Sequence, residues 1–248
     1  MNNYHIEKCK IDDTSIDFNM TVPIYEIMRL LQMATFVHAD MSGLDHDSML
    51  NKSNAFWIVT KMKVEISDDI LPNEKVKVIT WTNPPSMLRV NRNVIIKSSR
   101  KTKVKASSEW CCLDAENRKP RKLSSINYPD FDVRLDTSKT TPFTNLKLDV
   151  DASDYCYTKI VRSTDIDVNN HTNNLKYNVM AMDCFSVEEL REKQVKEYEI
   201  YYVNESHEND SIDIYKKKQG KYYYIEGRIK DKTIFRVVIR FSNKKKSA

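Results

Sequence analysis

Glycine is scarce in this sequence. Only three occur among 248 residues, at Gly43, Gly220 and Gly227. Gly-rich phosphate loops of the GxGxxG and GxxxxGK types need several glycines within a few positions, because the backbone must come close to the phosphate groups. Three isolated glycines cannot form either motif, so the sequence argues against mononucleotide- and dinucleotide-binding folds.

Long apolar runs are absent as well. No window contains the ~18 consecutive apolar residues that a membrane-spanning helix needs, while hydrophobic residues make up 40% of the chain and charged residues 30%. The N-terminal segment MNNYHIEKCKIDD is polar and charged, which is not typical of a secretory signal peptide. We therefore expect a globular cytoplasmic protein with no membrane span.

Cysteine motifs of metal sites are missing too. No CxxC motif and no Cys/His spacing typical of a zinc site involves the five cysteines, which are Cys9, Cys111, Cys112, Cys156 and Cys184. An odd number of cysteines in a cytosolic context argues against a disulfide framework. We expect five buried structural thiols, no metal and no cofactor.

The excess of positive charge is small. The 40 lysines and arginines, set against 35 acidic residues, give a net charge of +5 and a pI of about 8.8. This balance suits an acidic protein partner or, more weakly, a nucleic acid. A solvated lysine-rich surface explains it equally well, so the charge alone selects no partner.

Hydrophobic periodicity divides the chain into two halves with the same order of elements. In the first half, apolar residues spaced for a helix run from Pro23 to Gly43. Strands are predicted after it at Ala55–Ile66, Lys75–Thr82, Leu88–Ser98 and Lys103–Leu113. Because the helix is apolar on most of its surface, we expect other elements to wrap it.

The second half repeats this plan after an irregular segment, about residues 114–154. It has a strand-like run at Tyr155–Arg162, a loop, and a helix near Asn173–Phe185. A capping box at Ser186–Glu189 predicts another helix to about Val195. Four strand-like runs follow at Glu197–Asn204, Ser211–Lys217, Tyr222–Lys230 and Thr233–Phe241. Apolar helices and antiparallel strands in this order predict an α+β fold.

The densest polar cluster, Asp165–Asn174, lies just before the second helix. Its alternate positions carry Asp167, Asn169 and His171, which an extended segment would project to one side. The N–H groups at the helix start near Asn173 would favour a developing oxyanion. The residue types alone leave a polar turn with an N-cap residue equally open.

The run DIDVNNHTNNLKY closely resembles the D-x-D-x-N-x-H-V-N-N-x-x-Y signature of the bacterial and plant acyl-acyl-carrier-protein (acyl-ACP) thioesterases. The stretches LQMATFVHADMSG and AFWIVTKMKVEI resemble the first helix of that family and the strand after it, and the likeness extends from about Met20 to Phe241. The resemblance implies a tandem double hotdog, in which two long apolar helices are each wrapped by an antiparallel β-sheet. It implies an N-terminal hotdog at residues 1–125, a linker at 126–153 and a C-terminal hotdog at 154–248.

The resemblance also implies where catalysis takes place. It places the catalytic residues in the second hotdog, at Asp167, Asn169, His171 and Glu205. Plant members carry cysteine after that glutamate, whereas Ser206 stands here, so a Cys–His pair is not required. The segment Met20–Pro23 before the first helix offers neither histidine nor carboxylate, which fits a first hotdog without a catalytic role.

The activity that the resemblance implies is hydrolysis of a fatty acyl thioester to free fatty acid and carrier protein. The expected partners are an acidic acyl carrier protein and the fatty acyl chain, with no nucleic acid and no membrane. The apolar residues of the first hotdog would hold the acyl chain, with Met28, Leu31, Met33, Phe36 and Trp57 as candidates. Ordinary core packing is the alternative explanation for each of these side chains.

Two rival functions remain open at this point. One is a hotdog thioesterase that acts on acyl-CoA. The other is a non-catalytic acyl-binding or RNA-binding module, in which Tyr201–Tyr202 and Tyr222–Tyr224 would stack on bases, although packing within strands also accounts for them. The sequence leaves open the preferred acyl chain and the oligomeric state, a homodimer included.

Overall fold

The structure is a computed structural model that describes residues 4–126, 128–129 and 140–244. The chain divides into two compact units, unit 1 at Met1–Thr141 and unit 2 at Pro142–Ala248. The centre of the linker predicted at 126–153, namely residues 130–139 together with residue 127, lies outside the described residues. Within that part of the chain, no helix combines the length and apolarity that crossing a membrane requires.

Unit 1 combines a long helix with an antiparallel sheet. Its elements are β1 (Tyr4–Lys10), α1 (Ile24–Met41), α2 (His46–Ser53), β2 (Ala55–Ile66), β3 (Lys75–Thr82), β4 (Arg89–Ser98) and β5 (Lys101–Asp114). The strands lie in the order β1-β3-β4-β5-β2, and every neighbouring pair is antiparallel. A helix and a sheet of this kind bury their apolar faces against each other.

Unit 2 repeats the same order of elements. They are β6 (Tyr155–Ile160), α3 (Asn174–Met182), α4 (Val187–Glu192), β7 (Lys193–Tyr202), β8 (Ser211–Gln219), β9 (Tyr222–Ile229) and β10 (Lys232–Asn243). The strands lie in the order β6-β8-β9-β10-β7, again antiparallel throughout. The repeated plan predicted from periodicity is therefore present in the structure.

Two elements of unit 1 have no counterpart in the prediction. Strand β1 carries charged residues on its exposed face and pairs with β3 at one edge of the sheet, so its short polar sequence shows little periodicity. Helix α2 has a low apolar content, and it begins at an N-cap, Asp45, whose carboxylate accepts from the N–H of Ser48.

The predicted second helix is too long at its C-terminal end. Helix α3 stops at Met182, whereas the periodicity predicts a helix to Phe185. Ser186 and Glu189 form the predicted capping box, which starts α4. The residues between Met182 and Ser186 form a turn between the two helices. Helix α4 ends at Glu192, before the predicted Val195, because Lys193 already pairs with Asn243 as part of the sheet.

Helix α1 buries one stripe of its surface and leaves another open. Ile24, Ile27 and Leu31 are among its buried residues, whereas Phe36 is 54% exposed and Tyr25 is also exposed. The expectation that most of the helix surface is wrapped was therefore wrong for this side. The 3.6-residue period determines which residues share the buried stripe, and it places Phe36 away from it.

An aromatic stack fixes the position of α3 on the sheet of unit 2. Phe235 on β10 is fully buried and packs with its ring 5.0 Å from the ring of Tyr177 on α3. The ring lies directly over Gly227, its partner in the sheet register on β9. A β-carbon at Gly227 would lie 2.8 Å and 2.9 Å from two atoms of that ring, inside normal van der Waals contact. The missing side chain therefore makes the space that Phe235 occupies.

We expect Gly227→Ala to lower the free energy of unfolding by about 1–3 kcal/mol, because the added methyl group overpacks the site against Phe235. Gly220→Asn is the matched control, since a side chain there meets no atom within 4 Å and asparagine tolerates the positive φ of 56°. Denaturant unfolding of both variants measures the difference. Equal stabilities would show that the ring does not depend on the glycine.

Candidate active site

The predicted polar cluster forms a tight turn before α3. The N–H of Asp167 donates to the carbonyl of His171 at 3.0 Å, and the N–H of Asn170 donates to the carbonyl of Asp167 at 3.1 Å. The Asp167 carboxylate also accepts from the N–H of Asn169 at 2.8 Å. An isolated bridge between Ile166 and Thr172 closes the turn at its base.

The extended conformation expected for this segment was wrong. Asn170 adopts a φ of 61°, a left-handed conformation that asparagine tolerates better than most residues. This reversal brings Asp167 and His171 together across the turn, with Asp167 Oδ1 3.6 Å from His171 Nδ1. Asn169 lies exposed at the tip and contacts Asp167 through its backbone N–H rather than through its carboxamide.

The imidazole of His171 lies between two carboxylates. Its Nδ1 faces Asp167 at 3.6 Å and the carbonyl of Thr172 at 3.5 Å, and its Nε2 faces Glu205 Oε1 at 3.8 Å. The two separations from the carboxylates exceed hydrogen-bond length, as is common in ligand-free sites whose contacts tighten on binding. The ring and both carboxylates are partly exposed, so a substrate can reach them. Glu205 follows β7 in the chain and stands in a loop beyond the strand.

Buried hydroxyl groups hold the Glu205 loop against the turn. The hydroxyl of Ser206 is fully buried and lies 2.7 Å from Thr172 Oγ1 and 2.9 Å from the hydroxyl of Tyr177. The Thr172 N–H also donates to the Ser206 carbonyl at 2.8 Å. Ser206 therefore connects the loop to both the turn and α3, and a hydroxyl so enclosed is not placed to act as a nucleophile.

Asp165, the first carboxylate of the motif, stabilises the base of the turn. It is 4% exposed, and its oxygens lie 2.9 Å from Lys159 Nζ and 3.6 Å from Lys176 Nζ. Burial by itself raises the pKa of Asp165, but the hydrogen bond from the Arg162 N–H and the ammonium of Lys159 outweigh it and leave the pKa below its usual value. Asp165 is thus a charged structural group.

Three N–H groups at the helix start are already hydrogen-bonded within the turn and the N-cap. The N–H of Asn173 donates to the carbonyl of Asp165, and the side chain of Asn173 accepts from the N–H of Leu175. The N–H of Lys176 donates to the Asn173 carbonyl at 2.8 Å. These three groups are used internally, and an oxyanion role for the rest of the helix start stays a prediction.

No cysteine thiol belongs to this constellation. Cys184 lies beyond the C-terminal end of α3, not inside the helix as predicted, while the turn precedes its N-terminal end. Burial raises the pKa of the Cys184 thiol, so it stays protonated at neutral pH. Cys111 and Cys112 are buried in unit 1, but Cys9 and Cys156 are only half-buried, contrary to the expectation of five buried thiols.

The five candidate acyl-chain residues of unit 1 do not share one environment. Met28 and Leu31 belong to the buried stripe of α1, whereas Met33 is half-buried and Phe36 is exposed. Trp57 on β2 packs edge-on against Tyr128, with 6.1 Å between the ring centroids. Met28 and Leu31 thus belong to the core, Met33 and Trp57 are half-buried, and the acyl-chain role of all five residues stays a prediction.

Unit 1 contains a counterpart of the turn that the sequence reasoning missed. The N–H of Asp17 donates to the Thr21 carbonyl at 2.9 Å, and the Asp17 carboxylate accepts from the N–H of Asn19 at 2.8 Å. Met20, like Asn170, has a positive φ, of 57°. The repeat of Ile16-Asp17-Phe18-Asn19 as Ile166-Asp167-Val168-Asn169 is the signal that reveals it. Unit 1 has a carboxylate in this turn after all, but Thr21 takes the place of the histidine.

Solved structures define the fold class. An acyl-ACP thioesterase from Bacteroides thetaiotaomicron matches 97% of this chain and 98% of its own, with a TM-score of 0.88 and 21% identity. A 12:0-ACP thioesterase from Umbellularia californica matches 98% of this chain and 99% of its own, with a TM-score of 0.83 and 16% identity. The protein has the tandem double hotdog fold, as the resemblance implied.

Family models then define the family. The model of the acyl-ACP thioesterase N-terminal domain matches residues 2–126, and that of the C-terminal domain matches residues 151–247. The chain belongs to the acyl-ACP thioesterase family. A palmitoyl-acyl carrier protein thioesterase of Arabidopsis thaliana is 25% identical over 205 residues, which cover 77% of this chain and 49% of that protein. The chain spans about half the length of the curated relatives it matches.

Ser206→Ala should lower the free energy of unfolding by about 1–3 kcal/mol, because the buried hydroxyl of Tyr177 loses its partner. Ser211→Ala, at the exposed first residue of β8, is the control and should change stability by no more than about 0.5 kcal/mol. Thermal and denaturant unfolding test this. Two equally stable variants would contradict a structural role for Ser206.

Proposed function

We propose that the protein hydrolyses the thioester of acyl-ACP, releasing a free fatty acid and the carrier protein with its thiol. The observation that supports this most directly is the His171 imidazole placed between the carboxylates of Asp167 and Glu205. Membership of the acyl-ACP thioesterase family supports the same substrate class. The catalytic assignment of Asp167, Asn169, His171 and Glu205 is part of the proposal.

The two carboxylates divide the work around the imidazole. A carboxylate, Asp167 or Glu205, takes a proton from water, whose oxygen forms a bond to the thioester carbonyl carbon. Direct attack by Asp167 to form an anhydride, hydrolysed in a second step, is the alternative covalent route. Both routes end with the C–S bond broken and the acyl group carrying the oxygen of water.

Stabilisation of the oxyanion and protonation of the leaving group need donors at the same place. The carboxamide of Asn169 is exposed at the tip of the turn and can donate to the carbonyl oxygen or orient the water. His171 hydrogen-bonds the same oxygen or passes its proton to the leaving thiolate. Since the N–H groups of Asn173, Leu175 and Lys176 are used internally, we assign this part of the chemistry to these two side chains.

The two halves of the chain have different proposed roles. Residues 154–248 supply the catalytic hotdog, and residues 1–125 supply the hotdog that accepts the acyl chain, with 126–153 as the linker. The net charge of +5 suits an acidic carrier protein as partner. The depth of an apolar pocket would determine the preferred chain length, because each buried CH₂ contributes about 0.8 kcal/mol. The cytoplasmic location stays a prediction.

Asp167→Asn should reduce turnover of acyl-ACP by about 10²–10⁴-fold, since the amide cannot accept a proton but still accepts the turn hydrogen bond from Asn169. Asp17→Asn makes the same change in the equivalent turn of unit 1, which carries no imidazole, and should leave turnover unchanged. The measurement is release of free fatty acid from acyl-ACP of several chain lengths, with kcat and KM determined separately.

An Asp167→Asn enzyme with nearly normal kcat would overturn the assignment of Asp167. Equal losses in Asp167→Asn and Asp17→Asn would mean that the turns matter for folding rather than for chemistry. His171→Ala should likewise lower kcat more than it raises KM, because the imidazole acts on the reacting group.

An acyl-ACP thioesterase and an acyl-CoA thioesterase are expected to prefer different substrates. If the carrier protein is recognised by charge, kcat/KM should be higher for acyl-ACP than for acyl-CoA with the same chain. The difference should shrink when the ionic strength is raised from about 0.01 M to about 1 M, which shortens the screening length from about 30 Å to about 3 Å. Higher kcat/KM with acyl-CoA at all salt concentrations would favour the acyl-CoA thioesterase instead.

A base-stacking role for Tyr201 and Tyr224 finds no support. Tyr201 and Tyr224 are buried with Val150 and Val238, and the ring of Phe143 lies 5.9 Å from that of Tyr201. Side chains covered in this way cannot stack on exposed bases.

A further inference from the structure

A buried arginine lies inside unit 1, on the side of the sheet that faces α1. Arg92 on β4 is only 6% exposed. In the sheet register it stands opposite Thr82 on β3 and Ser108 on β5, both of them buried. All residues of the proposed catalytic constellation belong to unit 2, so the proposed chemistry does not explain why this charge is buried in unit 1.

Two neutral groups contact the guanidinium. Arg92 Nη1 donates to His38 Nδ1 at 2.7 Å and to Thr80 Oγ1 at 3.1 Å. Because a guanidinium can only donate, His38 accepts with an unprotonated Nδ1 and its ring is neutral. The hydroxyl of Tyr128 also lies close enough for an electrostatic interaction with Arg92. The surroundings of Arg92 are therefore polar but uncharged.

The charge of Arg92 has no acidic partner among the described residues. Both of its hydrogen bonds to those residues use Nη1, which leaves Nε and Nη2 for another acceptor. Burial lowers the pKa of Arg92 to about 10, so the group is still charged at neutral pH. A buried charge without a counter-charge is unfavourable, and a guanidinium edge with two donors matches a carboxylate.

Two buried carboxylates of unit 2 have cationic partners. Asp165 lies between two lysines, and Glu226, which is 1% exposed, is 2.6 Å from Arg228. Arg92 differs from these groups, and the difference points to a counter-charge supplied by a ligand.

The neighbourhood of Arg92 is apolar beyond this polar patch. Val90 and Val94 lie two residues to either side on the same strand, and both are buried. Val90 is part of an apolar cluster against which Trp57 and Tyr128 pack. The ring of Tyr128 packs against the cluster, and its hydroxyl interacts electrostatically with Arg92. The cation therefore lies at the border of an apolar region. An inorganic anion would gain nothing from that region, whereas an alkyl chain would be buried there.

We propose that unit 1 binds the carboxylate of an aliphatic chain at Arg92, with Thr80 and Tyr128 beside it and the chain along the apolar cluster of Trp57. Two molecules share this chemistry. One is a free fatty acid, and the other is an acyl group with a second carboxylate at its far end. This site goes beyond the proposed hydrolysis, and binding at it does not depend on that activity.

The test is equilibrium binding of dodecanoate to the full-length protein, by calorimetry below the micelle concentration. Arg92→Met should weaken binding by at least about tenfold, the size expected for a hydrogen-bonded charge pair. Arg89→Met on the same strand is the matched control, since Arg89 is exposed and pairs with Glu109 at 2.8 Å. It should leave the affinity unchanged. Dodecanol, which lacks the carboxylate, should bind the wild type and Arg92→Met equally.

The ligand-free stability separates a binding role from a structural one. An apolar side chain at this position removes the cost of burying a charge without a counter-charge, so Arg92→Met should melt at the same temperature as the wild type or higher. Its rise in melting temperature with dodecanoate should be lost. A lower melting temperature with unchanged dodecanoate affinity would overturn the proposal and make Arg92 a structural group.

Arg92→Lys keeps the charge but loses the planar pair of donors, and provides a second variant if Arg92→Met does not fold. Its affinity for dodecanoate should be lower than that of the wild type and of Arg89→Met, but higher than that of Arg92→Met. If Arg92→Met yields no folded protein, wild-type affinity in Arg92→Lys would contradict bidentate recognition and overturn the proposal.

The source of the carboxylate is identified by turnover. A fall in kcat/KM of Arg92→Met that is confined to acyl-ACP with a terminal carboxyl group would identify the substrate as the source. Unchanged turnover of both substrates together with lost dodecanoate binding would identify the free fatty acid. Because binding is measured without turnover, a protein that hydrolyses no acyl-ACP but binds dodecanoate through Arg92 would refute only the proposed function.

Discussion

The hydroxyl of Ser206 is the contact on which the candidate site depends. It lies 2.7 Å from Thr172 Oγ1 and 2.9 Å from the Tyr177 hydroxyl, in a fully buried position. Hydrogen bonds inside a protein are stronger than those in water, and a buried polar group without a partner lowers the stability of the fold. They hold the segment that carries Glu205 against the turn that carries His171. Tyr177 in turn packs on Phe235, so the site is anchored in the core of the sheet.

The two units show how one turn can serve different purposes. The carboxylates of Asp17 and Asp167 both accept from an N–H two residues later at 2.8 Å, within nearly identical backbone frames. The hydrogen bonds that stabilise the turn are thus independent of any chemistry at the site. The first turn carries the hydroxyl of Thr21 where the second carries the imidazole of His171. An imidazole, whose two ring nitrogens can donate and accept hydrogen bonds, is present only in the second turn.

The buried charges of Asp165, Glu226 and Arg92 differ in the partners that they meet. In unit 2 the buried carboxylates of Asp165 and Glu226 are balanced by cations within the same unit. In unit 1, Arg92 meets only neutral acceptors among the described residues. The proposed roles account for this difference at Arg92, since a ligand bound to unit 1 can supply the counter-charge.

Most elements and the motif can be predicted from the sequence, because both depend on neighbours in the chain. Periodicity predicted Ala55–Ile66 and Lys75–Thr82 with the bounds observed, and the capping box at Ser186 is where it was predicted. Other features depend on residues that are distant in the chain or on the backbone conformation of the folded protein. The left-handed Asn170 turns an expected extended run into a hairpin, and Ser206 reaches Thr172 across 34 positions. No local pattern encodes the burial of Arg92, since the energy of a buried charge depends on groups that only folding brings together.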